Sequence, residues 1–334
     1  MGIELAYVWA GLLAFAVLAY VVLDGFDLGV GILFPFLKSE GERDLAMNSV
    51  APVWDGNETW LVLGGGGLFA VFPLAYATLL PALYAPMIAM LLGLIFRGVS
   101  FEFRAKADRS QFLWDIGFPA GSIVAAFAQG IALGALVQGI EVEGRAYAGG
   151  WWDWLTPFTL LTGAALVTGY ALLGATWLFM KTEGRLADDA RRFARITGVA
   201  TFVLIGLVSL ITPFLNPVYL ERWFAWPTAI FSVIVPALLL GCAWKLHRGL
   251  VEGRDAVPFL SALGVFLLCY LGILISFFPN IVPPSISIRE AAAPDSSLAF
   301  LLVGAVVLIP IILAYTAYAY WVFRGKVDPE EGYH

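Results

Sequence analysis

The chain has 334 residues, of which 60% are hydrophobic, 15% aromatic and only 13% charged, and its mean hydropathy is +0.86. A soluble domain carries about 25% charged residues, so a water-soluble fold of this length would lack polar surface to cover its core. A soluble enzyme, a disordered chain and a nucleic-acid binder with a basic face are excluded. The net charge of −6 says less than where the charges sit.

Nine apolar stretches are long enough to cross a bilayer, which takes about 20 helical residues. They fall near residues 5–34, 56–75, 78–97, 112–138, 153–180, 196–216, 223–244, 258–282 and 298–323. The first has no Lys or Arg ahead of it and no small-residue cleavage site, so it reads as a retained span rather than a signal peptide. The second and third are separated only at Phe72-Pro73; a re-entrant pair is the alternative there, and two spans is the preferred reading because Leu79 to Phe96 suffices alone. Gly64-Gly65-Gly66-Gly67 follows no strand and precedes no Lys-Ser/Thr; close helix–helix packing is expected of it. Trp151, Trp152 and Trp154, like Trp223, Phe224 and Trp226, are expected to anchor the outer interface.

With the N-terminus outside, 16 of the 19 Lys and Arg residues fall in inner loops, and only Arg145, Arg222 and Arg289 fall outside. The positive-inside rule therefore predicts nine spans with the C-terminus inside and no basic residue in mid-membrane. The expected fold is an all-α integral membrane protein of two four-helix bundles and one peripheral helix. Residues 1–138 form the first half, 139–282 the second, and 283–334 an external loop, the ninth helix and an inner tail.

Membrane redox cofactors need His, Met or Cys ligands on facing helices. The two histidines, His247 and His334, are placed in an inner loop and at the last residue, which excludes a bis-His haem within this chain. Met87 and Met90 read as core, and Cys242 and Cys269 as small hydrophobes without metal-site spacing. No metal site is expected. The chemistry is acidic instead. Asp24 and Asp27 share one face of the first span, and Asp55 and Glu58 repeat that spacing at the start of the second. In this topology the four carboxylates converge on the inner third of a two-helix hairpin. Interfacial acids, or partners for Arg97 and Arg104 at the inner end of span three, are the plain reading. The alternative is a proton route, because an intramembrane acid is costly and crowded carboxylates raise one another's pKa.

LDGFDLGVG at 23–31, NSVAPVWDGNETW at 48–60, GGGGLFAVFP at 64–73, FRGVSFEFR at 96–104, FPNIVPPS at 278–285 and VLIPIILAYTAYAYWVF at 307–323 together resemble subunit II of the cytochrome bd-type quinol oxidases. The succession covers nearly the whole chain. The resemblance implies a partner, the haem-bearing subunit I, that supplies the quinol site, two b-type haems and one d-type haem. It implies oxidation of quinol near the outer face of the bacterial cytoplasmic membrane and reduction of O2 to water with protons from inside. It further implies that subunit II holds no haem ligand, that Asp27 and Asp55 line a proton pathway, and that Trp60 marks an apolar oxygen path. Some members hold a structural quinone, and some complexes add a small single-helix subunit. Val53 stands where many relatives carry His, and Glu58 where others carry Gln. This pair suggests a variant, closer to the cyanide-insensitive branch, in which Glu58 takes over a polar role.

Without the resemblance, a proton-coupled secondary transporter is the other reading, since it too combines many spans with intramembrane acids. Spans three to nine argue against it. They offer Gln129, Thr162, Thr168 and Ser209, and no charged residue, to hold a polar substrate.

Overall fold

The computed structural model describes residues 4–328 except 105 and 108; His334 lies outside them. Almost all of it is helix. Helix α1 (Leu5–Leu33) is 29 residues long, about 43 Å at the usual rise, enough to cross a membrane. A 3-10 turn at Phe34–Phe36 ends it, and α2 (Glu40–Val50) follows at the same end. Ser39 and Glu42 form a reciprocal capping box on α2, which satisfies two otherwise orphaned amides.

Helix α3 (Trp54–Val71) and α4 (Pro73–Ala82) are bent against each other by 118° at Phe72. Proline at the first position of α4 has no amide to continue the α3 hydrogen-bond ladder, so the apolar run turns there. Helix α5 (Tyr84–Arg104) then crosses back, followed by α6 (Gln111–Gln138). The third span thus begins at Tyr84 rather than near residue 78 and runs on to Arg104. This corrects the sequence-based division: Arg97 is inside a membrane helix, not in an inner loop. Hydropathy placed the boundary early because the bent arm is as apolar as the span after it.

A short hairpin pairs β1 (Val142–Glu143) with β2 (Ala146–Tyr147). Helix α7 (Pro157–Lys181) starts from a Thr156–Thr159 cap with Pro157 at its first position. Then come α8 (Gly184–Leu215), α9 (Pro217–Phe224), α10 (Ala229–Glu252) and α11 (Ala256–Phe277). His247 sits exposed near the end of α10, not in a loop. A second hairpin joins β3 (Asn280–Val282) to β4 (Ile286–Ser287), and the short α12 (Ile288–Ala291) leads to α13 (Asp295–Val322). Among the described residues eight helices are long and apolar enough to cross a membrane singly, and the count reaches nine if the bent α3–α4 pair is taken as one broken span rather than a re-entrant loop.

Helix α1 is the hub, packing on α3, α6 and α7, while α5 pairs with α6, α7 with α8 and α10 with α11. One core joins Phe26 of α1, Trp177 of α7 and Phe259 of α11, with the Phe26 and Trp177 rings stacked 4.1 Å apart. Several close helix contacts run glycine to glycine. A Cβ on Gly29 would stand 2.7 Å from the Gly174 amide nitrogen, and one on Gly93 2.7 Å from the Gly121 carbonyl. The Gly64–Gly67 run does not do this. Gly65 and Gly66 have open space beside them, and only Gly67 approaches Leu13 closely. A glycine run announces a narrow helix face but not what lies against it.

Candidate functional site

Asp24 and Asp27 lie one turn apart on α1, and both are fully buried. Arg97 of α5 is fully buried against them. Its Nη2 donates to Asp24 Oδ1 at 2.9 Å and lies 3.7 Å from Asp27 Oδ2. Its Nη1 donates to Glu58 Oε1 of α3 at 2.5 Å, and its guanidinium lies over the Trp54 ring. Three carboxylates from two helices thus share one cation from a third. Gly121 lets α6 pass close to α5 at Arg97: a Cβ there would come 2.8 Å from the Arg97 backbone nitrogen.

Two hydrogen-bonded arms extend from the cluster. Asn57 Nδ2 donates to Asp27 Oδ2 at 2.7 Å, and its Oδ1 accepts from the Tyr320 hydroxyl of α13 at 3.0 Å. On the other side the Tyr20 hydroxyl lies beside Asp24 and accepts from Gln129 Nε2 at 2.7 Å. Gln129 Oε1 in turn accepts from the Tyr170 hydroxyl at 2.9 Å. Asp24 Oδ2 and Asp27 Oδ1 have no hydrogen-bond partner. Burying ions is costly unless charge and hydrogen bonds compensate, and here the compensation comes from Arg97 and the two arms.

Of the four acids expected to converge, three do. Asp55 is on the exposed side of the first turn of α3 and does not reach Arg97. Arg104 pairs elsewhere, with Asp44 at 2.5 Å and Asp115 at 2.6 Å, and so ties the end of α5 to α2 and α6. Trp60 is 1% exposed, packed with Ala16, Ala19 and Tyr20, and its indole nitrogen has no partner. Asn57, Tyr20 and Tyr320 escaped the sequence reading. Asn57 stands inside the WDGNETW motif, where its polarity in an apolar run was a usable signal. For Tyr320, among the many aromatics of α13, there was none.

Among the described residues the donor set does not fit a haem iron. His247 is exposed without a facing ligand, and Met87 and Met90 pack in the core. Among the described residues no group of three or more His, Cys, Asp or Glu is placed to hold a metal ion.

Fold and site together define a multi-pass helical membrane protein built around a buried cluster of charges. A family model described as Cytochrome bd terminal oxidase subunit II matches residues 5–323. Cytochrome bd-I ubiquinol oxidase subunit 2 of Escherichia coli K12 is 31% identical over 371 residues, covering 98% of this chain and 96% of the relative. Cytochrome bd ubiquinol oxidase subunit 2 of Bacillus subtilis is 30% identical over 338 residues, covering 97% of each. Among solved structures, a chain of the bd oxidase from Geobacillus thermodenitrificans superposes with a TM-score of 0.75 at 14% identity, over 96% of this chain and 99% of that one. The chain belongs to the cytochrome bd terminal oxidase subunit II family and is a subunit of a quinol oxidase, an oxidoreductase complex.

Proposed function

We propose that this chain scaffolds the haem-bearing subunit I of a quinol:oxygen oxidoreductase and carries part of its cytoplasmic proton path. The two b-type haems and the d-type haem reside in the partner. This chain's own contribution is Asp27, Asp24 and Glu58 around Arg97, with Asp55 at the exposed start of the same helix. The observation that carries the reading is the cluster itself: three carboxylates around one guanidinium, in the inner third of the span under the proposed topology, are well suited to hold and pass protons. Trp60 is assigned to an oxygen path on the family resemblance; its neighbours Ala16, Ala19 and Tyr20 pack tightly around it, and no open channel among the described residues supports the assignment here. Residues 1–138 hold every acid of the cluster, while 139–282 and 283–334 supply packing and the Tyr320 arm.

The topology proposed is N-terminus outside and C-terminus inside, in the bacterial cytoplasmic membrane. It rests on the distribution of Lys and Arg. A reporter placed in the 141–150 loop should read as external, and an internal reading would reverse the orientation.

The functional test is made on the tagged chain purified gently with its partner. Haem absorption and quinol-driven oxygen consumption should co-purify with it; a haem-free complex would favour the transporter reading. Within that complex, Asp27→Asn and Asp55→Asn keep size and much of the hydrogen bonding but cannot exchange a proton near neutral pH. Positioned proton-transfer groups contribute about 10²–10⁴-fold, and neighbouring acids substitute in part, so turnover per haem should fall roughly ten-fold or more. Full turnover per haem in both variants would end the proton-path assignment.

A further inference from the structure

We infer that Glu58 is the port of the cluster: the single carboxyl through which a proton enters or leaves the buried pair Asp24 and Asp27. The inference rests on the proton-path reading and adds to it the group that exchanges and the groups that do not. Three observations lead there.

The first is a charge count. With Asp24, Asp27 and Glu58 ionised against one Arg97, the buried site would hold two uncompensated negative charges. Each uncompensated buried ion costs several kcal/mol. Arg97 stays protonated, so bound protons must supply the remaining compensation.

The second is that the two aspartates are walled off from exchange. Asp27 meets Asn57, and the arm beyond Asp24 reaches Gln129 through Tyr20. A carboxamide donates and accepts hydrogen bonds but gives up no proton near neutral pH. The arms therefore hold the aspartates in place and end there. Tyr170 and Tyr320, the hydroxyls beyond the two amides, both donate toward the cluster.

The third is exposure. The side chains of Asp24, Asp27 and Arg97 are all 0% exposed, whereas that of Glu58 keeps 27% of its surface. One Glu58 oxygen holds Arg97, and the side chain reaches the face of α3 that also carries Asp55, three residues earlier and exposed. A hydronium ion in the adjoining water gives up a proton: its O–H bond breaks, one forms on the Glu58 carboxyl, and water is left behind. Asp24 then remains as the ionised partner of Arg97, and the cluster has gained one positive charge. Release reverses both changes. The charged groups that act on Glu58 across this site are Asp24 and Asp27 of α1, Asp55 of α3 and Arg97 of α5.

The test uses the assembled, haem-loaded complex. Glu58→Gln retains an oxygen to accept from Arg97 Nη1, so haem content should match the parent. Turnover per haem should fall roughly ten-fold or more, and its pH profile should lose the limb that Glu58 controls. Glu58→Asp should keep a profile but displace it. Unchanged turnover and pH profile in Glu58→Gln, with Asp27→Asn slow, would overturn the port while leaving the proton path standing. If Glu58→Gln, Asp27→Asn and Asp55→Asn all turn over normally, the proton path itself has failed. Should Glu58→Gln lose haem, Glu58→Asp decides: a displaced profile supports the port and an unmoved one overturns it.

Discussion

Arg97→Leu should leave little assembled oxidase. Among the described residues the guanidinium is the sole cation paired with Asp24, Asp27 and Glu58, and it is completely enclosed. Removing one partner of a buried ion pair costs about 3–5 kcal/mol, because the opposite charge is left without compensation. Protonating the three acids limits that loss but does not restore the fork of hydrogen bonds that joins α1, α3 and α5. Arg97→Lys should recover only part of it, since an ammonium presents no planar fork to two acids at once. The measurement is the yield and thermal stability of the haem-loaded complex. Adding Asp24→Asn and Glu58→Gln to Arg97→Leu should recover stability if charge is the cause. No recovery, or a normal Arg97→Leu complex, would contradict this account.

Gly29→Ala should be nearly as damaging, although it adds a single methyl group. That methyl would meet the Gly174 amide nitrogen at 2.7 Å and come closer still to the Tyr170 carbonyl, both backbone atoms of α7. Backbone cannot rotate away as a side chain can, so the helices must part. Overpacking a core typically costs about 1–3 kcal/mol, and contact with backbone belongs at the upper end. Parting α1 from α7 would also strain Tyr170, and through Gln129 and Tyr20 it would loosen the Asp24 arm. Gly65→Ala is the contrast. It meets nothing within 4 Å and gains up to about 1 kcal/mol of helix propensity, so it should fold at least as well as the parent. Equal stability of the two variants, measured by thermal unfolding of the purified complex, would sink the argument.

The two outcomes invert what the glycine pattern suggests on its own. Four successive glycines are conspicuous, whereas Gly29 and Gly174 are separated by 144 intervening residues of chain and carry no mark of their pairing. Arg97 is a similar case. Its position after an apolar run looks like the end of a span, and only the bend at Phe72 moves the span's start to Tyr84 and draws Arg97 inside.

The sequence by itself determined the solvent, the helical class and the family. Long apolar runs of this length satisfy their backbone in lipid as helices. It also placed Asp24 with Asp27 on one helix face, and Asp55 beside Glu58 on another, because a helix repeats every 3.6 residues. What periodicity cannot say is which face meets which helix. The tertiary structure decided that Glu58 turns inward to Arg97 while Asp55 stays at the surface, and that Arg104 serves Asp44 and Asp115 instead. It also brought Tyr320 to Asn57 across 263 positions of sequence. Those choices follow from where glycine lets backbones approach and from the requirement that every buried charge find its counter-charge. Both are properties of the packed whole, and no local stretch of residues contains them.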